Sequence, residues 1–278
     1  MGQVEDPSTR KVAGLPSWVP DFSVAMAKSA LSSWKSGENK GFYAAAGSST
    51  TTPKWISQDR TAIELSGYKM NEISVIVSME SARDKIIHRP QEWAAMMENL
   101  PQDYPSGCSK TEALWRTLIG DRTPQDECPA PPAFGGHYKT LVDLVRLNGE
   151  LDRRITSGED GNAVLGQLYR DMGICAEDML LLMADKSLFE HGMSRVMLER
   201  RLFVTKKGYV GSVPMSSQIG DAVYLLSGGH VPFVPRSSSN GRGGGAPLTM
   251  ISECYLHGVM QREVFEWDDF GWSSVRVR

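Results

Sequence analysis

The chain has 278 residues, 41% of them hydrophobic and 23% charged, with a formal net charge of -3, the make-up of an ordinary globular protein able to bury a core. That charge offers no basic field for nucleic acid, and no window approaches the roughly 20 apolar residues of a membrane span. MGQVEDPSTRK lacks the apolar stretch of a secretory signal, and Asp6 stands where myristoylation wants Ser or Thr, so a cytoplasmic protein is expected.

Residues 1–80 read as an N-terminal arm and strands, 81–200 as a helical block and 201–278 as a small antiparallel sheet, all in one compact unit. The arm closes with LPSWVPDFS at Leu15–Ser23, where Pro16 and Pro20 keep Leu15 and Val19 extended. Trp18 and Phe22 then serve as its anchors, with Trp18 expected against the sheet or the helix carrying Trp115. Gly37 and Gly41 suggest tight turns. Between Thr61 and Ser78 the alternation of Ile63 and Leu65, then Ile73, Val75 and Val77, predicts two strands about a Gly67–Tyr68 turn.

Helix is predicted from Gln91 to Leu100, just after Pro90. Ser109 is the N-cap of a second helix that carries Leu114, Trp115 and Leu118 on one face and ends at Gly120. The proline-rich segment Asp121–Gly136 reads as a loop and is the candidate for a mobile or pocket-covering segment. Helices follow over Tyr138–Arg154, Ala163–Met172 and Ala176–Arg201, with a break near Gly173 and a second candidate break at Gly192. Their methionines, Met172, Met179, Met183, Met193 and Met197, form apolar stripes suited to core packing.

Beyond Arg200 short β-branched and aromatic runs alternate with glycine. Strands are expected at Leu202–Val204, Ala222–Leu226, Val231–Val234, Leu248–Tyr255 and Glu263–Trp267, with Ser237–Gly245 as a flexible loop. The fold class is α+β: a central helical block packed on a C-terminal antiparallel, barrel-like sheet, with an extended N-terminal arm.

Chemical motifs are sparse. No GxSxG, phosphate-binding loop or dinucleotide fingerprint occurs. His88, His137, His191, His230 and His257 show no metal-ligand spacing, and Cys108, Cys128, Cys175 and Cys254 form no CxxC pair. No cofactor and no metal are expected. Cys108 and Cys128 flank one loop, yet a cytosolic setting argues against a bridge.

Three segments resemble the C-terminal region of fungal heterokaryon-incompatibility proteins, the HET-domain family. They are LPSWVPDFS, ALWRTLIGD at Ala113–Asp121, and RRLFVTKKGYVGSVPMSSQIGDAVYLLSGGHVPFVPR at Arg200–Arg236 together with ECYLHGVM at Glu253–Met260. The chain departs from the family at Gln261–Arg262–Glu263, where an acidic residue, glycine and Glu usually make a tight turn. The family's N-terminal signalling domain is not in this sequence, so the resemblance implies a stand-alone protein that does not itself signal.

Stand-alone relatives in fungal natural-product pathways imply an activity: cofactor-free intramolecular Diels–Alder closure of an apolar terpenoid or polyketide. On that reading Arg116, Tyr255 and His257 are the candidate hydrogen-bond donors, and Trp18, Phe22, Trp115, Tyr224 and His230 line the substrate pocket. The partner is an apolar small molecule. The alternative is a non-enzymatic self-recognition module. Gly208, Gly211 and Gly220 read as turn formers, and Asp221 as an acceptor for a turn's N–H groups.

Overall fold

A computed structural model describes residues 10–24, 31, 41–50, 52–77, 90–98, 100–237 and 246–278. Gly37, His88 and the glycine-rich loop at 238–245 lie outside them. The architecture is α+β: among the described residues there are five α-helices in the middle of the chain and a nine-stranded antiparallel sheet.

Strand β1 (Lys54–Trp55) leads into β2, a single strand of 14 residues from Ile63 to Ile76. The expected turn at Gly67–Tyr68 is absent. The side-chain alternation changes phase there: Ile63 and Leu65 point into one apolar cluster, Tyr68 and Met70 into another. A phase change within a continuous strand imitates two strands joined by a turn. Gly67 is glycine because a Cβ would lie 2.7 Å from Val275 Cγ2 and 2.9 Å from Leu226 Cδ2.

Helix α1 spans Pro90–Glu98, with Pro90 in its first turn. Helix α2 spans Lys110–Leu118, and its N-cap Ser109 accepts a 3.0 Å hydrogen bond from Glu112 N. The proline-rich segment that follows is packed, not a free cover: Arg122, Thr123, Ala130 and Phe134 are all buried. Helices α3 (Gly135–Thr156), α4 (Gly161–Met172) and α5 (Ala176–Met197) complete the block.

Helix α5 runs unbroken through Gly192, whose hydrogen faces Ile119. Only its C-terminal half is core: Met193 and Met197 are buried, whereas Leu180, Leu181 and Met183 are 78%, 70% and 49% exposed. The expected all-core methionine stripe therefore fails for Met172 and Met183, which face outward.

The C-terminal strands are β3 (Arg200–Thr205), β4 (Val210–Pro214), β5 (Ala222–Leu226), β6 (Phe233–Arg236), β7 (Thr249–Glu253), β8 (Tyr255–Leu256) and β9 (Ser273–Val277). The order is β7-β6-β5-β2-β3-β4-β8, with β1 and β9 also on β2. The sheet is not closed, yet its two ends, β7 and β8, are successive in the chain and separated by Cys254 alone. A single parallel bridge, Leu248 to Val277, joins the start of β7 to β9.

Three strands escaped the sequence, β1, β4 and β9. A further element was misassigned: Glu263–Glu266 is a 3-10 turn, not strand. Arg262, just before it, takes the left-handed φ of 78°, so the chain turns here without a glycine.

Asp221 accepts from Gln218 N at 2.8 Å and also pairs with Arg236 through both carboxylate oxygens, at 2.7 and 2.8 Å. Gly211 lies where β4 meets β8, and a Cβ there would sit 2.2 Å from Tyr255 O and 2.4 Å from Phe203 Cε1. Gly211→Ala should cost about 3 kcal/mol in urea unfolding, because backbone on one side and a buried ring on the other cannot both yield.

Candidate functional site

Helix α2 is the wall on which the chemistry gathers. Its buried positions run Ala113, Leu114, Trp115, Arg116, Thr117 and Leu118. On one side of it lies a cleft of about 780 Å³, between the end of α1, α2, Pro132 and the first three turns of α3. Met97, Leu114, Trp115, Tyr138, Val142 and Val145 give it apolar walls, and Lys110, Glu112, Lys139 and Arg146 bring charge to them. Such a space falls in the range of small-molecule sites.

Arg116 stacks on Trp115, its guanidinium carbon 4.4 Å from the ring centroid. The same guanidinium donates to Glu112 Oε1 at 2.8 Å, to Ala130 O at 2.7 Å and to the Asp121 carboxylate. Burial works against its charge, but Asp121 and Glu112 outweigh that and hold its pKa above the ordinary value. Arg116 is a fixed cation one layer behind the Trp115 wall.

A second set of side chains is aligned from β8 to the residue before the α2 cap. Tyr255 Oη lies 3.1 Å from His257 Nδ1, and His257 Nε2 lies 3.5 Å from Cys108 Sγ. The imidazole is held by its own backbone: His257 N donates to Val210 O, and Tyr104 Oη donates to His257 O. Burial, and then the positive charge of Arg116, push His257 down to about 4. Burial pushes the Cys108 thiol up, and Tyr255 well up, again chiefly through burial.

A pH dependence follows. The folded imidazole stays neutral while the unfolded one takes a proton below its ordinary value of 6.5. Between those limits the unfolded chain binds more protons, so stability should fall as pH drops from about 6.5 to about 4. The loss is roughly 3 kcal/mol, and urea midpoints of His257→Gln should lack that component.

The residues singled out from the sequence are thus partly gathered. Trp115 lines the cleft, and Arg116 backs it. Tyr255 and His257 are bonded to each other. The remaining four lie elsewhere. Trp18 packs on Trp55, centroids 5.6 Å apart, beside the sheet cluster; Phe22 is 88% exposed and anchors nothing among the described residues. Tyr224 sits on β5 opposite Phe233, and His230 Nδ1 is 3.3 Å from Tyr43 O.

Sequence reasoning missed Cys108, Glu112 and Asp121. The only local signal was that Cys108 immediately precedes the helix cap Ser109. All four cysteines are free, so Cys108 and Cys128 form no bridge. No helix among the described residues is long and apolar enough to cross a membrane.

Residues 87–269 match the Het-6 beta-barrel domain. The chain belongs to that family, as the HET-like motifs led one to expect. No curated protein and no solved structure was found to match it.

Proposed function

We propose that the chain is a cofactor-free pericyclase, closing an apolar terpenoid or polyketide by intramolecular Diels–Alder cycloaddition in the α2–α3 cleft. The observation that carries this reading is the cleft itself: about 780 Å³, with apolar walls and Trp115 stacked on the buried Arg116 cation. Restricting a flexible diene and dienophile to their reactive fold lowers a barrier by several kcal/mol. Positive charge or a donor near an activating carbonyl adds an electrostatic contribution of a few more.

Arg116 is the activating group in this scheme, acting through the wall residue it stacks on. Tyr255 and His257 are bonded to each other and do not line this cleft, so the scheme does not draw on them. Analogy supports the substrate class: the norbornene-forming Diels–Alderase of sordarin biosynthesis is a HET-like protein resembling this family's C-terminal region. The test is incubation with an unclosed diene–dienophile terpenoid. Faster closure and a shifted stereochemical ratio are expected; a product ratio equal to that in buffer alone ends the idea.

One observation favours a second reading, a non-enzymatic self-recognition module. Leu180, Leu181 and Met183 expose a run of apolar surface on α5, the kind of patch that meets protein partners. Expression in a fungal host is then expected to give a growth defect that polar substitutions at Leu180 and Leu181 abolish.

A further inference from the structure

We infer that Cys108, His257 and Tyr255 form a nucleophilic thiol centre that takes an acyl group from an activated ester or thioester. This is independent of the cycloaddition reading, since no step uses the cleft substrate. The geometry is that of a nucleophile, a base and a group that orients the base: Sγ to Nε2 3.5 Å, Nδ1 to Tyr255 Oη 3.1 Å. With the Nδ1 hydrogen donated to the tyrosine oxygen, Nε2 is left as an acceptor turned to the thiol.

Access runs the right way along this line. Tyr255 and His257 are buried, Cys108 is half-buried, and Ser106, whose Oγ lies 3.4 Å from Sγ, is exposed. The thiol is therefore the end that a substrate meets. Directly after it α2 begins: Ser109 takes the Glu112 amide, and the Lys110 and Thr111 amides lie outside the helix's own ladder. They are donors for an oxyanion formed at a carbonyl bound to Cys108.

The groups around the imidazole are Tyr255 from β8, Tyr104 with its ring 5.8 Å away, Cys108, and the charges of Arg116 and Glu112 from α2. Burial keeps the pair as neutral imidazole and thiol, so His257 acts as a general base and not as half of a standing ion pair. As Sγ forms its bond to the carbonyl carbon, the thiol proton passes to Nε2. The tetrahedral adduct collapses, the bond to the leaving oxygen or sulfur breaks, and that atom takes the proton back from Nε2. Water then hydrolyses the thioester, releasing the acid and restoring the thiol. Cys108 and His257 are the catalytic residues, and Tyr255 is a positioning residue.

The probe is p-nitrophenyl acetate, followed by nitrophenolate release and by peptide mass spectrometry, with the exposed Cys175 as an internal reference. The expected result is acetylation of Cys108 at least about tenfold faster than Cys175, at a rate that is flat between about pH 5 and pH 8. His257→Gln should slow it about 100-fold. Tyr255→Phe should slow it less and move the acid limb. A Cys108 rate that climbs about tenfold per pH unit in the unaltered protein, as for an unassisted thiol, overturns the proposal, whether or not the variants fold. Equal rates in the unaltered protein and in folded His257→Gln overturn it too.

Discussion

Glu253→Ala is expected to destabilise the protein by about 3–5 kcal/mol, because it strands a buried cation. Arg200 and Glu253 face each other with side chains 0% and 3% exposed and Nη2 3.2 Å from Oε1. The same Oε1 accepts from Leu31 N, and Arg200 Nη1 reaches Glu253 O at 3.4 Å. Burial pulls the Arg200 pKa down against the pull of Glu253, so this carboxylate is the counter-charge that offsets the burial of the guanidinium. With the carboxylate gone, the remaining partners are dipoles. The double variant Arg200→Met, Glu253→Leu should recover part of the loss, since an apolar pair leaves no stranded charge, although Leu31 N loses its acceptor in it. Urea unfolding of the three proteins checks both statements; a single-variant loss below about 1 kcal/mol would show that water reaches the cation.

Trp115→Ala is expected to cost about 3–5 kcal/mol as well, by a different route. The indole is buried, its ring carries Arg116, and the start of α3 is seated on it: a Cβ on Gly135 would lie 3.0 Å from Nε1. Removing it leaves a void between α2 and α3 and unseats a cation whose carboxylate partners stay in place. Thermal unfolding gives the magnitude. Trp115→Phe separates packing from chemistry, because it keeps most of the buried volume while discarding the N–H. A Trp115→Ala protein melting near the normal temperature would mean that the ring serves the cleft and not the core.

Much of the helical block could be read directly, because its signals are local. Ser109, the Leu114–Trp115–Leu118 face and the Gly173 stop act within a turn of where they stand. The sheet was harder. Gly67 looks like a turn residue, and only the approach of Val275, 208 positions further on, makes it a strand residue. Strand β9 is short and half-exposed, so its pattern carries little weight until β2 is known to be beside it. In the site, Trp115 and Arg116 came from a helix face, whereas Cys108 meets His257 across 149 positions and no spacing rule finds it.

The arrangement of the sheet ends bears on how this protein fails when heated. A sheet with long unpaired borders offers its backbone to other chains. Here the terminal strand β8 and the side strand β1 are two residues each, and β7 is tied to β6 and bridged to β9. Little main chain is left to template a fibril. The outward half of α5 has no such protection, so association on warming should begin through its leucines and give amorphous, helix-containing aggregates in place of cross-β material.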